Sequence, residues 1–159
     1  MESRHPSHIP ALKSVEAGAE KLGVELRMVP ARTFEDFDGA YATMTQEHCG
    51  GFLVLGGPSS YAENGVRLAE LALRYRLPGI FWFKENVEAG GLMSYSADVL
   101  DLYRRSAVYI DKILKGTKPA DLPVEQASKY QLVVNLKTAK ALGIELPTSI
   151  LLRADEVIE

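Results

Sequence analysis

Cysteine occurs once in these 159 residues, at Cys49, so no disulfide within the chain can staple the fold. Its place just ahead of an apolar strand predicts a buried, inert thiol. Histidine is nearly as scarce: His5, His8 and His48 are the only three, and none follows residue 48. A serine hydrolase built on the strand-to-helix turn at Ser59 and Ser60 therefore has no downstream base, and Gly-Pro-Ser-Ser-Tyr is not the Gly-x-Ser-x-Gly elbow. His5 and His8 have no cysteine or acidic partner at ligand spacing, which leaves a metal site without support. Excess positive charge is also missing. The formal net charge is -3 with lysine and arginine scattered, so nucleic-acid binding has no electrostatic footprint. Apolar runs such as 52–55 and 79–83 fall far short of the roughly 20 residues a membrane span needs. The first ten residues have no apolar stretch of the kind a secretory signal carries. Paired glycines at 50–51, 56–57 and 90–91 match neither a dinucleotide fingerprint nor a phosphate loop, and no cofactor is expected.

What is present is an ordinary globular composition, 47% apolar and 25% charged, in a chain long enough to bury a core. Leu12, Val15, Ala19 and Leu22 recur at helical spacing and predict a helix over 8–22, stopped by Gly23. Residues 24–29 alternate apolar and polar, the pattern of a strand near a sheet edge. Thr33 is placed to cap a helix over 34–47 whose stripe is Phe37, Tyr41 and Met44. Gly51-Phe-Leu-Val-Leu55 reads as an interior parallel strand, covered on both faces. Ser60 and Glu63 form a capping box for a helix to about residue 75. Strands follow at 79–83 and 90–95, separated by a helical turn at 85–88. A helix over 98–115 should turn Val99, Tyr103, Ala107, Ile110 and Leu114 inward and carry Asp101/Arg105 and Asp111/Lys115 as surface ion pairs.

This alternation predicts an α/β fold: three layers, a Rossmann- or flavodoxin-like parallel sheet with helices on both faces. Because the pattern opens on a helix, a sheet of order 2-1-3-4-5 lacks its central strand. Ligands of open α/β sheets bind beyond the carboxyl ends of the strands, which singles out the loops at 56–61, 83–85 and 94–98. Their helix starts offer backbone N–H groups to an anion, and Tyr61, Phe83 and Tyr95 could frame an apolar part. The competing reading is that Ser60 and Ser96 only cap helices while the aromatics fill the core. Glu85 and Glu88 could act as an acid–base pair, though a solvated helix turn is the more ordinary explanation. No catalytic constellation emerges, and an enzyme is not expected.

The last third is more specific. Ile113-Leu-Lys-Gly-Thr-Lys-Pro-Ala-Asp-Leu-Pro-Val-Glu125 ends a helix and runs through an extended stretch with two prolines and a glycine over residues 116–126. A strand, a short helix ending at Gly143 and a polar–apolar tail, Leu152-Arg-Ala-Asp-Glu-Val-Ile-Glu159, complete it. Together with His5-Pro-Ser-His-Ile-Pro-Ala-Leu12, Ala69-Glu-Leu-Ala72 with Arg76-Leu-Pro78, and Glu88-Ala-Gly-Gly-Leu-Met-Ser-Tyr95, it resembles the substrate-binding proteins of ABC transporters. The likeness is to those of type I periplasmic-binding fold that include tryptophan- and tyrosine-type binders. The resemblance implies that residues 1–122 are the C-terminal lobe, lacking its first strand. Residues 123–159 are then the hinge crossing, a strand and helix associated with the other lobe, and a return segment. It maps ligand contacts onto Gly57, Pro58, Ser59, Phe83, Glu85, Tyr95, Ser96 and Asp98, with Ser96 where the family often has glycine. It further implies a small amino-acid-like or other organic solute, an ABC permease as partner, a periplasmic or cell-surface location for an intact parent, and weak binding by this truncated form. A homodimer is expected to fill the gap. The rival reading is a stand-alone flavodoxin- or receiver-like signalling or self-association module.

Overall fold

The computed structural model describes residues 8–31, 33–55 and 64–159. Helix α1 spans His8–Leu22 and α2 Asp36–Gln46; strand β1 is Phe52–Leu53, α3 Gly65–Arg74, β2 Gly79–Phe81, α4 Lys84–Glu88 and β3 Met93–Ala97. Then come α5, Val99–Leu114, a 3-10 turn at Pro119–Asp121, β4 at Tyr130–Asn135, α6 at Leu136–Leu142, α7 at Thr148–Leu151 and β5 at Glu156–Ile158.

Among the described residues five strands form one sheet in the order β1-β2-β3-β4-β5. The α/β architecture expected from the alternation is thus the one found, but the sheet is mixed. The first three strands run parallel, β4 runs antiparallel to β3, and β5 is parallel to β4. The connection from β3 to β4 runs out along α5 and returns through the 3-10 turn and the extended stretch 123–129, and this out-and-back path permits the reversal.

Burial follows the pleat. Phe52, Phe81 and Ser94 point to one side of the sheet, where Phe81 lies edge-on to Phe52 with ring centres 5.4 Å apart. Phe37 and Tyr41 of α2 and Leu68, Leu71 and Ala72 of α3 close this side, with Leu77 at the entrance to β2. The Tyr41 hydroxyl donates to the Leu68 carbonyl at 3.0 Å, and burial pushes the phenol above its ordinary range. Gly79 has a steric reason to be glycine: a β-carbon there would come within 2.1 Å of the Phe52 ring. Val87, Leu92, Val133, Val134 and Ala139 are also buried, the consecutive Val133 and Val134 of β4 on opposite faces of the sheet. Gly143 ends α6 in the left-handed conformation, φ 74°, that glycine adopts without strain.

Five expectations are corrected. Among the described residues β1 stands at one edge of the sheet, with Phe52 half-buried and Leu53 exposed, so it is not an interior strand covered on both faces. Residues 24–29 join no ladder, and Val24, Leu26 and Met28 are exposed; an alternating segment needs a neighbouring strand, and among the described residues none pairs with it. No residue of α5 is buried, so Val99, Tyr103, Ile110 and Leu114 lie at the surface rather than inward. Ala107 is likewise exposed. Asp111 and Lys115 do pair, at 2.9 Å, but Asp101 pairs with Lys129 and Arg105 with Glu125, because the returning chain brings those partners closer than the helix surface does. Cys49 is half-buried rather than enclosed. The capping box at Ser60 and Glu63 lies outside the described residues.

Candidate functional site

The register of the parallel strands sets which residues meet. Ile80 stands opposite Met93 and Phe81 opposite Ser94, so the chain leaving β2 through Trp82 and Phe83 runs beside Tyr95 and Ser96. Two predicted clusters, Phe83 with Glu85 and Tyr95 with Ser96 and Asp98, therefore emerge from adjacent strands at the same end of the sheet. The third, Gly57, Pro58 and Ser59, lies outside the described residues.

Each described candidate has a definite local role. Phe83 is half-buried and forms the last extended position before α4, φ -107° and ψ 143°. Its N–H donates to Asn86 Oδ1 at 3.3 Å, which fixes the turn from strand to helix. Glu85 is exposed in the first turn of α4, where a carboxylate suits the helix dipole. Tyr95 is 58% exposed and stacks on Tyr130, ring centres 5.6 Å apart and planes 18° from parallel. Ser96 is half-buried opposite Gln131 in the β3–β4 ladder. Asp98 accepts from the Asp101 N–H at 3.0 Å and so caps α5. The capping function weighed for Ser96 thus belongs to Asp98, and Tyr95 is not a core aromatic.

The electrostatics are those of a surface rather than of a reaction centre. Lys84 bridges Glu88 at 3.3 Å and Glu156 at 2.7 Å, tying α4 to β5, and these carboxylates hold its ammonium group above the ordinary range. With Glu88 engaged by Lys84, Glu85 has no free carboxylate partner in α4 for acid–base work. No group of three or more metal-ligating side chains occurs among the described residues. Two surface grooves have other linings: one includes Met28, Pro30, Asp36 and Thr43, the other Leu102, Tyr109, Pro123 and Val124. At the strand ends Tyr95 presents an exposed ring, while Phe83 and Ser96 are half-buried.

Three supporting residues had little or no sequence signal. Asn86 is buried, its acceptor bound by Phe83 and its Nδ2 unpartnered among the described residues. Asn135, also buried, donates to the Val87 carbonyl at 3.1 Å and accepts from the Thr138 N–H at 3.0 Å, linking α4, β4 and α6. Tyr130 supplies the second ring of the exposed stack. Only Asn135 could have been suspected, as a capping residue just before a helix.

Known proteins share this fold. The family model described as ABC transporter substrate binding protein matches residues 2–158. No curated protein matches. A solved ABC domain from Streptococcus pneumonia in complex with L-Trp is 27% identical, with TM-score 0.83 over 99% of this chain and 54% of that one. A conserved domain protein from Vibrio cholerae is similar in fold, at 24% identity and TM-score 0.81 over 94% of this chain and 50% of that one. So is the ligand-free, open substrate-binding protein CD0873 from Clostridium difficile, which has adhesive properties: 19% identity and TM-score 0.66 over 98% and 52%. The chain spans about half the length of these solved structures. With a family match running over almost every residue, the chain belongs to the ABC transporter substrate-binding protein family.

Proposed function

We propose that this chain acts as the C-terminal lobe of the solute-binding component of an ABC uptake system. The observation that carries the reading is the family match over residues 2–158. On this reading residues 1–122 are the lobe, and residues 123–159 are the hinge crossing, a strand–helix pair and the return. Capture is a closing of two lobes on a small solute, which the solute drives only by binding the closed form more tightly than the open one. The closed form is then presented to a membrane permease, outside the cytoplasmic membrane in the periplasm or at the cell surface. No bond is made or broken. An amino-acid-like solute is favoured by the L-Trp in the pneumococcal relative and by the exposed aromatic ring of Tyr95. A lone lobe leaves most of the solute in water, so its own affinity is weak, about millimolar or about -4 kcal/mol. The exposed apolar surface on α5 favours a homodimer for this chain.

The test is a heteronuclear NMR titration of this chain with L-tryptophan and then with the other amino acids and small organic acids. The expected outcome is fast-exchange shifts concentrated at the amides of Phe83, Glu85, Tyr95, Ser96 and Asp98. A full panel at millimolar concentration that moves none of them sinks the proposal.

A further inference from the structure

Helix α5 presents a puzzle of packing. Its sequence is strongly amphipathic, yet its apolar residues are exposed, and its only half-buried positions are Asp101, Arg105 and Tyr109. Spaced four apart, these form one polar stripe along the helix. Against that stripe lies the stretch 123–129, which has no regular secondary structure of its own.

The contacts run in order. Near the start of the helix, Asp98 N–H donates to the Lys129 carbonyl at 3.0 Å, and the Lys129 ammonium pairs with Asp101 at 3.2 Å. In the middle, the Arg105 guanidinium donates to Ser128 Oγ at 3.0 Å, to the Gln126 carbonyl at 3.4 Å and to the Glu125 carboxylate. One turn on, the Tyr109 hydroxyl donates to the Pro123 carbonyl at 2.8 Å. Rising numbers on the helix thus meet falling numbers on the returning chain. One arginine engages three residues of the strap, including a backbone carbonyl, through the several N–H donors of its planar fork.

From this arrangement we infer that Asp101, Arg105 and Tyr109 form a clasp that holds residues 123–129 as an ordered strap in fixed register along α5. Ordering a backbone residue costs conformational entropy, and a seven-residue irregular stretch has no ladder of its own to offset that. The clasp supplies the missing contacts. Its significance rests on the proposal that the chain crosses between lobes at 122–126: a clasped crossing travels with this lobe, and closure has to bend elsewhere. Arg105 is a positioning residue in this scheme and touches no solute.

The decisive measurement is backbone ¹⁵N relaxation on the full chain. In the unsubstituted protein the amides of residues 124–129 give order parameters near the rigid value of about 0.85, and in R105A they fall below about 0.6 while those of β3 and β4 stay fixed. R105K, which keeps the charge but loses the fork, restores order only in part. Y109F removes one hydroxyl and loosens the strap at 124 and 125 without threatening the fold, so the clasp is testable even where R105A folds poorly. Low order in the unsubstituted chain, or unchanged order in both R105A and Y109F, overturns the clasp. Repeating the L-tryptophan titration on the same samples separates the two proposals. Absent solute shifts with a loosened strap would remove the transport reading alone, and solute shifts with an unaffected strap would remove the clasp alone.

Discussion

Glu125 shows how much a single exposed side chain can be conditioned by its neighbours. The Arg105 guanidinium holds its carboxyl below the ordinary value of 4.5, the Tyr109 hydroxyl adds to this, and Lys112 contributes at longer range. Reciprocally, Glu125 holds Arg105 above its ordinary range. A carboxyl whose pKa is lower in the folded state than in the unfolded chain adds stability above the unfolded value, and that contribution disappears as pH falls through the folded value. The Glu125 contribution should therefore be complete at neutral pH and vanish in the acid region below 4.5. Following the Glu125 carboxyl carbon by NMR should give a midpoint below 4.5 in the unsubstituted chain and a higher one in R105A. An identical midpoint in both would mean that the pair does not persist in solution. At this scale the sequence was a partial guide. Asp111 and Lys115 were legible because both lie on one helix face, whereas the partners of Asp101 and Arg105 lie more than twenty positions away or close to it, and spacing cannot reveal them.

Elements whose burial is decided within their own residues were the easiest to read. The apolar run at β2 became a strand with a neighbour on each side, although that at β1 became an edge strand, and the Phe37/Tyr41 stripe of α2 became core. Elements whose burial depends on something elsewhere were misread: the alternation at 24–29 and the amphipathic pattern of α5 both describe faces made for a neighbour, and a pattern alone cannot supply the neighbour. The candidate site divides in the same way. Tyr95 and Asp98 follow from where strands end and helices begin, while Asn86 and Asn135 act through contacts that only the assembled fold brings together. Packing around β2 gives a direct check. Phe81 is 1% exposed, lies edge-on to Phe52 and contributes to the side of the sheet closed by α2 and α3. Phe81→Ala should cost about 3–5 kcal/mol, from lost apolar transfer and the cavity left behind. Urea unfolding followed by circular dichroism measures it. A loss below about 1 kcal/mol would mean that β2 is not the centre of the core described here.

For the whole molecule the open question is what covers the apolar surface that its own chain leaves exposed. Leu53, Ile80, Trp82 and Tyr95 point away from the closed side of the sheet and are 37–58% exposed. On α5, Val99, Tyr103, Ile110 and Leu114 are exposed as well. Fully burying one such side chain is worth about 1.5–3 kcal/mol, so water is a poor final partner for this many. A stable interface takes about 800 Å² from each partner. A reciprocal pairing, α5 of one copy on the open sheet side of the other, uses both surfaces twice and closes on itself without leaving an edge to propagate. Sedimentation velocity at micromolar concentration should therefore show a dimer. Tyr103→Glu with Ile110→Glu, placed where no core contact is lost, should shift it to monomer while the helical content stays constant. A monomer in the unsubstituted chain would rule out this pairing, and a dimer indifferent to both charges would place its interface away from α5.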